Sequence, residues 1–187
     1  MDKKIYSWEE KKRQGDLFER FIVRDIKKKK YPNAKIDNPN KKFEYWDIFI
    51  NKDITIECKH DIYGAYTGNI CIEIGQDGRY SGINTTKAKY YIICDGVYDG
   101  KTMYLISVEN IKKLIAVEYE DKLKAFIENL TIDTLNLSGI QKQESYPLNQ
   151  GNGYIKHMDW YLIPKKIFKK YCLEVNNIFE MTYDELI

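Results

Sequence analysis

Asp47 is followed ten residues later by Glu57 and Lys59, so that two carboxylates and one amine fall within a short stretch of the chain. Two carboxylates can hold a hard, oxygen-seeking cation such as Mg²⁺. A neighbouring lysine can orient a water molecule or neutralise developing charge, which suits phosphodiester hydrolysis. An acid-x-base triplet is expected about four or five times by chance in a chain of this composition, so the spacing alone carries no information. The structural context of the three residues must therefore discriminate.

Two predicted strands carry these side chains. Aromatic and β-branched residues predict strands over residues 43–50 and 54–59, and residues 51–53 between them are of hairpin length. The twofold periodicity of a strand places Glu57 and Lys59 on one face. The opposite face, towards the core, consists of Ile54, Ile56 and Cys58. The two polar residues therefore share one side of their strand.

Asp47 and Glu19 are acidic residues at positions that the predicted elements partly bury. Asp47 interrupts an apolar strand, where a carboxylate is unfavourable unless it binds a cation or accepts hydrogen bonds. Residues 8–30 are predicted to form a helix, with Glu19 at the edge of its apolar stripe. The stripe consists of Leu17, Phe18, Phe21, Ile22 and Ile26. Acidic groups from separate elements are thus expected to point into one place.

The expected metal site uses oxygen ligands. Asp47 and Glu57 supply carboxylates, and the backbone carbonyl of Cys58 is a natural third ligand, which makes the identity of that side chain unimportant. Mg²⁺ is the expected ion, with Mn²⁺ as a substitute. The alternative is an exposed strand edge with a cross-strand ion pair, which would stabilise the protein little.

The rest of the chain predicts a mixed sheet between helices, an α/β sandwich. The further predicted strands cover residues 70–74, 90–94, 103–107 and 154–163. The further predicted helices are a short one starting at residues 84–86, one over residues 108–116, one over residues 119–130 and a short one from Pro164 to about Tyr171. Residues 131–153 are predicted to be loop-like. We expect a single domain over residues 1–187.

The arrangement of Glu19 on a first helix, Asp47 on one strand and Glu57-x-Lys59 on the next resembles the PD-(D/E)XK nuclease superfamily. The group includes restriction endonucleases, archaeal-type Holliday-junction resolvases and phage nucleases. Residues 67–94 are similar to a segment of phage and bacterial members, in the motifs Thr67-Gly68-Asn69, Ile72-Glu73-Ile74 and Ser81-Gly82-Ile83-Asn84-Thr85-Thr86-Lys87-Ala88. The resemblance covers about residues 14–110, and residues 111–187 would be an elaboration of this core. Trp46 stands where the family pattern has proline.

The resemblance implies a restriction-endonuclease-like αβββαβ core and a metal-dependent endonuclease that hydrolyses DNA. Asp47 and Glu57 would be metal ligands and Lys59 the catalytic lysine. Glu19 would be an auxiliary ligand, and Glu73 would complete the acidic cluster. Several members of the group cut both strands as dimers, so a homodimer is also an expectation of the resemblance.

A candidate DNA contact follows the Gly-rich loop. The turn formed by Thr85, Thr86 and Lys87 offers hydroxyl groups, backbone donors at a predicted helix N-terminus and a cation, a set that suits a nucleic-acid phosphate. The alternative is that the threonines are simple helix N-caps and that the lysine is solvated.

Composition excludes several other classes of protein. The four cysteines show neither zinc-knuckle nor redox spacing, and the two histidines, His60 and His157, are too few for a histidine-rich metal site. The formal net charge is only +2, although a basic run ends at residues 27–30 and could contact phosphates. No apolar run is long enough to cross a membrane, so a cytoplasmic protein is expected.

Two rival interpretations remain open at this point. The chain could be a nucleic-acid-binding or assembly module that keeps the fold without catalysis. It could also be an unrelated α/β protein in which the motif arose by chance. An intact set of two acids and a lysine argues against the binding module, because clustered carboxylates are unfavourable without a function.

Overall fold

A computed structural model describes residues 7–29, 31–37, 45–61, 64–95, 103–120, 139–149 and 155–175. The helices are α1 (Trp8–Lys29), α2 (Gly64–Thr67), α3 (Val108–Ile115) and α4 (Lys165–Phe168), with a 3₁₀ turn at Gly82–Asn84 and a π-helical turn at Ala116–Glu120. The strands are β1 (Lys35–Ile36), β2 (Ile48–Asn51), β3 (Ile54–Asp61), β4 (Asn69–Gln76), β5 (Arg79–Tyr80), β6 (Tyr90–Asp95), β7 (Met103–Ser107), β8 (Gln141–Asn149), β9 (Ile155–Pro164) and β10 (Leu173–Val175). The protein is thus of mixed α/β type, as predicted.

The first sheet is mixed and contains six strands in the order β1-β2-β3-β6-β7-β10. Strands β2 and β3 form the predicted hairpin, in which Ile48 pairs with Ile56. Strand β6 lies parallel to β3, with Tyr91 opposite Glu57. The other neighbouring strands of this sheet are antiparallel. A predicted mixed sheet is therefore present, with β3 near its middle.

A second sheet was not predicted. Its four antiparallel strands have the order β5-β4-β9-β8. The strand predicted at residues 70–74 exists as β4, but it belongs to this sheet and not to the first. Residues 131–153 were predicted to be loop-like, which is wrong for β8. Pro147 and many polar residues hid this strand, and both are tolerated because β8 lies at an edge of its sheet.

Two apolar clusters hold these layers together. The first lies between α1 and one face of the first sheet, where Phe18 and Ile22 pack against Ile56. The second joins the other face of that sheet to β4, β9, α3 and α4, with Ile72 and Phe168 buried in it. Each face of the first sheet is therefore covered, and residues of β3 that point away from α1 point towards the second sheet.

The C-terminal third of the chain is part of this fold. Strand β9 pairs with β4, and β10 pairs with β7. The predicted helices at residues 8–30 and 108–116 are confirmed as α1 and α3. Of the helix predicted over residues 119–130, residues 121–130 lie outside the described part. None of the helices that the structure describes is both long and apolar enough to cross a membrane.

Candidate active site

Asp47 lies directly before β2, where the main chain leaves the ladder of the first sheet. Its backbone N–H donates to the carbonyl of Ile56 at 3.0 Å. Its carboxylate Oδ2 accepts the N–H of Cys58 at 2.7 Å. The side chain of Asp47 thus takes the position of a missing strand partner beside β3. The strand predicted over residues 43–50 is too long. Strand β2 begins only at Ile48, residues 45–47 lie before it, and residues 43–44 lie outside the described part.

The carbonyl of Cys58 faces the same edge of β3 as its N–H. The N–H and C=O groups of one strand residue point to the same side, and the N–H of Cys58 points to Asp47. The Cys58 side chain packs against the first apolar cluster, and the charges of Asp47, Glu19 and Glu57 add to the effect of burial in raising the pKa of its thiol. The predicted backbone ligand is therefore placed on the side of the Asp47 carboxylate.

Glu57 and Lys59 project from the opposite face of β3, as the alternation predicted. Glu57 Oε2 lies 3.4 Å from the hydroxyl of Thr86. Lys59 Nζ lies 3.9 Å from Glu73 Oε2, and the other oxygen of Glu73 accepts a 2.6 Å hydrogen bond from Ser81. We call Asp47, Glu57 and Lys59 the carboxylate cluster.

Burial raises the pKa values of Asp47, Glu57 and Glu19, and the charge of Asp47 raises those of the two glutamates further. Burial raises the pKa of Glu57 to about 8, and the charge of Asp47 adds to the effect. Burial also raises the pKa of Glu19, to about 7, again with the charge of Asp47 as the next cause. The pKa of Asp47 itself is raised by burial, although the Cys58 N–H and Lys59 oppose this. Asp47 thus lies within electrostatic reach of both glutamates, and Glu19 approaches it from α1.

The ammonium group of Lys59 keeps its charge at this site. Burial lowers its pKa, but the negative charges around it, led by Glu73 and including Glu57, outweigh the burial and raise the pKa above the ordinary value. About 38% of the Lys59 side chain is exposed. Lys59 therefore acts here as a permanent positive charge at neutral pH and not as a ready proton acceptor.

Glu73 reaches the site from a different sheet than expected. The prediction placed it on a strand adjoining β3, but β4 belongs to the second sheet. Glu73 nevertheless meets Lys59 because β4 passes over the face of β3 that carries this lysine. Its partners are the ammonium of Lys59 and the hydroxyl of Ser81. This position favours orientation of the lysine over a place among the metal ligands.

The predicted helix N-terminus at Thr85 and Thr86 is wrong. The 3₁₀ turn at Gly82–Asn84 ends before them, and both of their N–H groups donate to the carbonyl of Gly82, at 3.1 and 2.9 Å. These amides are consequently engaged in the turn and do not form an anion site. Three glycines and only a few apolar residues precede this segment, which left its helical pattern too short to assign correctly.

Thr86 and Lys87 instead tie the loop to the segment before Asp47. The hydroxyl of Thr86 lies 2.9 Å from the carbonyl oxygen of Tyr45, closer than it lies to Glu57. The ammonium of Lys87 lies 3.7 Å from the centroid of the Tyr45 ring, and the lysine remains exposed. Lys87 therefore stays a candidate phosphate contact, whereas Thr86 holds two parts of the site together.

Several residues of the site were not found from the sequence. Ser81 holds Glu73, and Gly82 has a φ of +55° at a point where a β-carbon would overlap the backbone of Glu73. Trp46, which departs from the family pattern, donates its indole N–H to Asp37 at 2.7 Å. The N–H of Asp37 in turn donates to the carbonyl of Asp47 at 2.9 Å. The glycine was the only available signal, since no pattern relates Ser81 or Asp37 to the acids.

The oxygen donors of the cluster suit a hard cation with a partly open coordination sphere. Among the described residues, no three side chains of His, Cys, Asp and Glu come together as a metal-binding group. The predicted set has only two such side chains, Asp47 and Glu57, with the Cys58 carbonyl as the third donor. Mg²⁺ commonly binds one or two carboxylates and completes its sphere with water and substrate oxygens. The raised pKa values of Asp47 and Glu57 also fit a site that a cation would stabilise.

Comparison of the sequence with models of known protein families and with curated proteins, and of the structure with solved structures, found no match. The interpretation of the site therefore depends on the geometry and chemistry of its own residues.

Proposed function

We propose that the chain is a divalent-metal-dependent endodeoxyribonuclease of the PD-(D/E)XK type. The observation that carries the proposal is the hydrogen bond from the Cys58 N–H to Asp47 Oδ2, because it sets one carboxylate against the Glu57-Cys58-Lys59 segment. A strand pair with two acids, a backbone carbonyl and a lysine at one point is the arrangement that metal-assisted phosphodiester hydrolysis requires.

The topology of the first sheet supports the same proposal. Helix α1 is followed by β1, β2 and β3 as an antiparallel meander, and then by β6 parallel to β3. This order agrees with an αβββαβ core except in the connection from β3 to β6. The connection carries α2, β4 and β5 instead of one long helix. We assign the fold to a restriction-endonuclease-like core with this substitution.

A bound Mg²⁺ or Mn²⁺ would neutralise charge on the scissile phosphate and acidify a bound water. Asp47, Glu57 and the carbonyl of Cys58 would hold the ion, with Glu19 reaching it through water. Lys59 would stabilise negative charge on the phosphate oxygens, since its ammonium remains protonated. Glu73 and Ser81 would keep that ammonium in place. Glu57 must lose its proton for ion binding, so the site works best above about pH 8 or once a cation lowers its pKa.

The test is cleavage of supercoiled plasmid and of a synthetic four-way junction, each with Mg²⁺, Mn²⁺ or EDTA. We expect metal-dependent cutting that falls by about 10²–10⁴-fold in Lys59→Ala, the usual range for loss of one catalytic group. The matched control is Lys89→Ala, because Lys89 forms only an exposed ion pair with Asp53. Equal cleavage by Lys59→Ala and Lys89→Ala would contradict the assignment. Metal-independent binding without cutting would instead identify the non-catalytic DNA-binding module.

A further inference from the structure

A cleft lined by several charged side chains opens on the second sheet. Its volume is about 440 Å³. Ile74 and Gly75 contribute to its lining from β4, and Arg79 and Tyr80 from β5. Ile74 directly follows Glu73, and Tyr80 directly precedes Ser81, the pair whose side chains are hydrogen-bonded at 2.6 Å. The cleft therefore begins one residue away from the groups that hold Lys59.

Tyr80 and Arg79 present unusual chemistry to this cleft. Tyr80 is 81% exposed, the highest value among the large apolar residues that the structure describes. Arg79 is exposed as well, and no acidic side chain in the described part of the chain forms an ion pair with it. An exposed aromatic ring and a guanidinium group that line one cleft can stack on a base and bind a phosphate.

The two acidic residues that line the cleft, Glu144 and Asp159, form no ion pair with Arg79 among the described residues. Glu144 is engaged by Lys142 in an ion pair on β8. Asp159 comes from β9 and packs against Gly75, which sits opposite it in the ladder. Lys142 thus compensates part of the negative charge on the β8 and β9 side of the cleft, whereas no ion pair within the described residues compensates the positive charge of Arg79. The arrangement favours an anionic ligand at the β5 side of the cleft.

A second aromatic and cationic pair is connected to the carboxylate cluster through Thr86. Lys87 stands over the ring of Tyr45, and Thr86, the residue before it, reaches Glu57. Tyr80 and Lys87 are seven residue steps apart, so their α-carbons are separated by at most about 25 Å. One nucleic-acid strand can therefore touch both pairs while it passes the acids.

We propose that the cleft binds unpaired nucleotides of a DNA strand next to the bond that is cut. Tyr80 stacks on a base, and Arg79 binds the adjoining phosphate. The inference rests on the proposed nuclease function and narrows its substrate to DNA with a single-stranded segment beside the scissile bond. A blunt duplex hides the faces of its bases, so it cannot use the Tyr80 ring.

The test measures binding of a fluorescent oligothymidylate and of a blunt duplex of equal length by anisotropy in EDTA, which prevents metal-dependent cutting. We expect the single strand to bind more tightly, and Tyr80→Ala to weaken its binding about tenfold, a typical loss for one stacked base. Tyr80→Phe keeps the ring and should restore binding. Tyr66→Ala removes another exposed tyrosine, at 64% exposure on α2, and should change nothing.

Arg79→Gln supplies a second measurement. Loss of one phosphate contact should reduce the slope of log Kd against log salt by about one. An unchanged salt slope, equal binding by Tyr80→Ala and Tyr66→Ala, or tighter binding of the blunt duplex would each overturn the proposal.

Cleavage of a splayed duplex in Mg²⁺ separates this inference from the nuclease function. Binding that depends on Tyr80 without any cutting would reject the nuclease but keep the cleft as a single-strand site. Cutting by a Tyr80→Ala variant that also binds like wild type would reject the cleft and keep the nuclease.

Discussion

Strand β3 carries acidic residues at two places, and the two differ in how their charge is compensated. Glu57 belongs to the carboxylate cluster. Asp61, four residues or about 13 Å further along the strand, lies opposite Asp95 of β6. We call Asp61 and Asp95 the distal acid pair. Both places bring two carboxylates together on neighbouring segments, so the comparison isolates the effect of their surroundings.

The distal acid pair has donors in place for its carboxylates. Asp61 accepts the N–H groups of Gly64 and Cys71, at 2.9 and 3.3 Å. Asp95 forms an ion pair with Lys165 and accepts the hydroxyl of Tyr104 at 3.4 Å. These contacts tie β3, β6 and α4 together and connect the two sheets. The pair therefore has a structural explanation.

The carboxylate cluster is compensated less completely. Asp47 has the Cys58 N–H, but burial and the charge of Asp47 raise the pKa of Glu57 to about 8. A site that keeps acids in this condition loses stability in the absence of a cation. Two neighbouring acids on strands are therefore a candidate metal site only where the hydrogen-bond donors and cations of the protein do not compensate their negative charge.

The largest expected effect is on DNA cleavage. It is tested by replacing one carboxylate with an amide in the carboxylate cluster and one in the distal acid pair. Glu57→Gln removes a proposed metal ligand and should lower the rate of DNA cleavage at least about 10²-fold. Asp95→Asn should cleave within about threefold of wild type at a temperature where circular dichroism shows it folded. A comparable loss in both variants would erase the distinction between the two acid clusters.

The free energy of unfolding should instead depend on the distal acid pair. Asp95→Asn leaves Lys165 without its partner at a mostly buried position and should lower the free energy of unfolding by roughly 3 kcal/mol. Asp53→Asn breaks the exposed ion pair with Lys89 and should change it by less than about 1 kcal/mol. Urea unfolding measures both values. If Asp95→Asn proved as mild as Asp53→Asn, the structural role of the distal acid pair would be wrong.

Gly82 sharpens the comparison by testing how Glu73 is held near Lys59. Gly82→Ala meets both an unfavourable φ of +55° and overlap with Glu73, so we expect a loss of about 2 kcal/mol in unfolding free energy. Gly78→Ala is matched, since Gly78 has a φ of +75° but open space around its α-carbon, and should lose about 1 kcal/mol. Equal losses would show that the contact with Glu73 is unimportant.

A further expected effect is the pH dependence of stability without divalent ions. The pKa of Glu57 is about 8 in the folded state against an ordinary value of 4.5, so the folded protein holds the extra proton between these pH values. Its contribution to stability is present below about pH 4.5 and is lost as the pH rises through 8. Glu57→Gln removes this loss. The melting temperature of Glu57→Gln in EDTA should therefore rise steadily relative to that of wild type between about pH 5 and pH 9, and a constant difference would contradict the shift.

The local parts of this site could be predicted from the sequence. The apolar stripe of α1, the β2–β3 hairpin and the faces of Glu57 and Lys59 all follow from periods of 3.6 and 2, which depend on neighbouring residues alone. The confirmed core positions Phe18, Ile22 and Ile56 have the same origin.

The partners of distant segments could not be predicted in this way. Alternation identifies β4 as a strand, but its partner β9 begins about eighty residues later, and no local pattern encodes that pairing. The position of Glu73 in the second sheet, the strand β8 and the bond between Ser81 and Glu73 all depend on it. The error at Thr85 and Thr86 has a different cause, since the chain turns at Gly82 through a backbone conformation that hydrophobic periodicity does not report.

The most direct test of the central claim is calorimetric titration of Mn²⁺ into wild type, Asp47→Asn and Asp95→Asn at about pH 9, where Glu57 is ionised. The carboxylate cluster predicts one bound ion in wild type and in Asp95→Asn, and none in Asp47→Asn. Undiminished binding by Asp47→Asn, or loss of binding in Asp95→Asn alone, would contradict the assignment of the ion to Asp47 and Glu57.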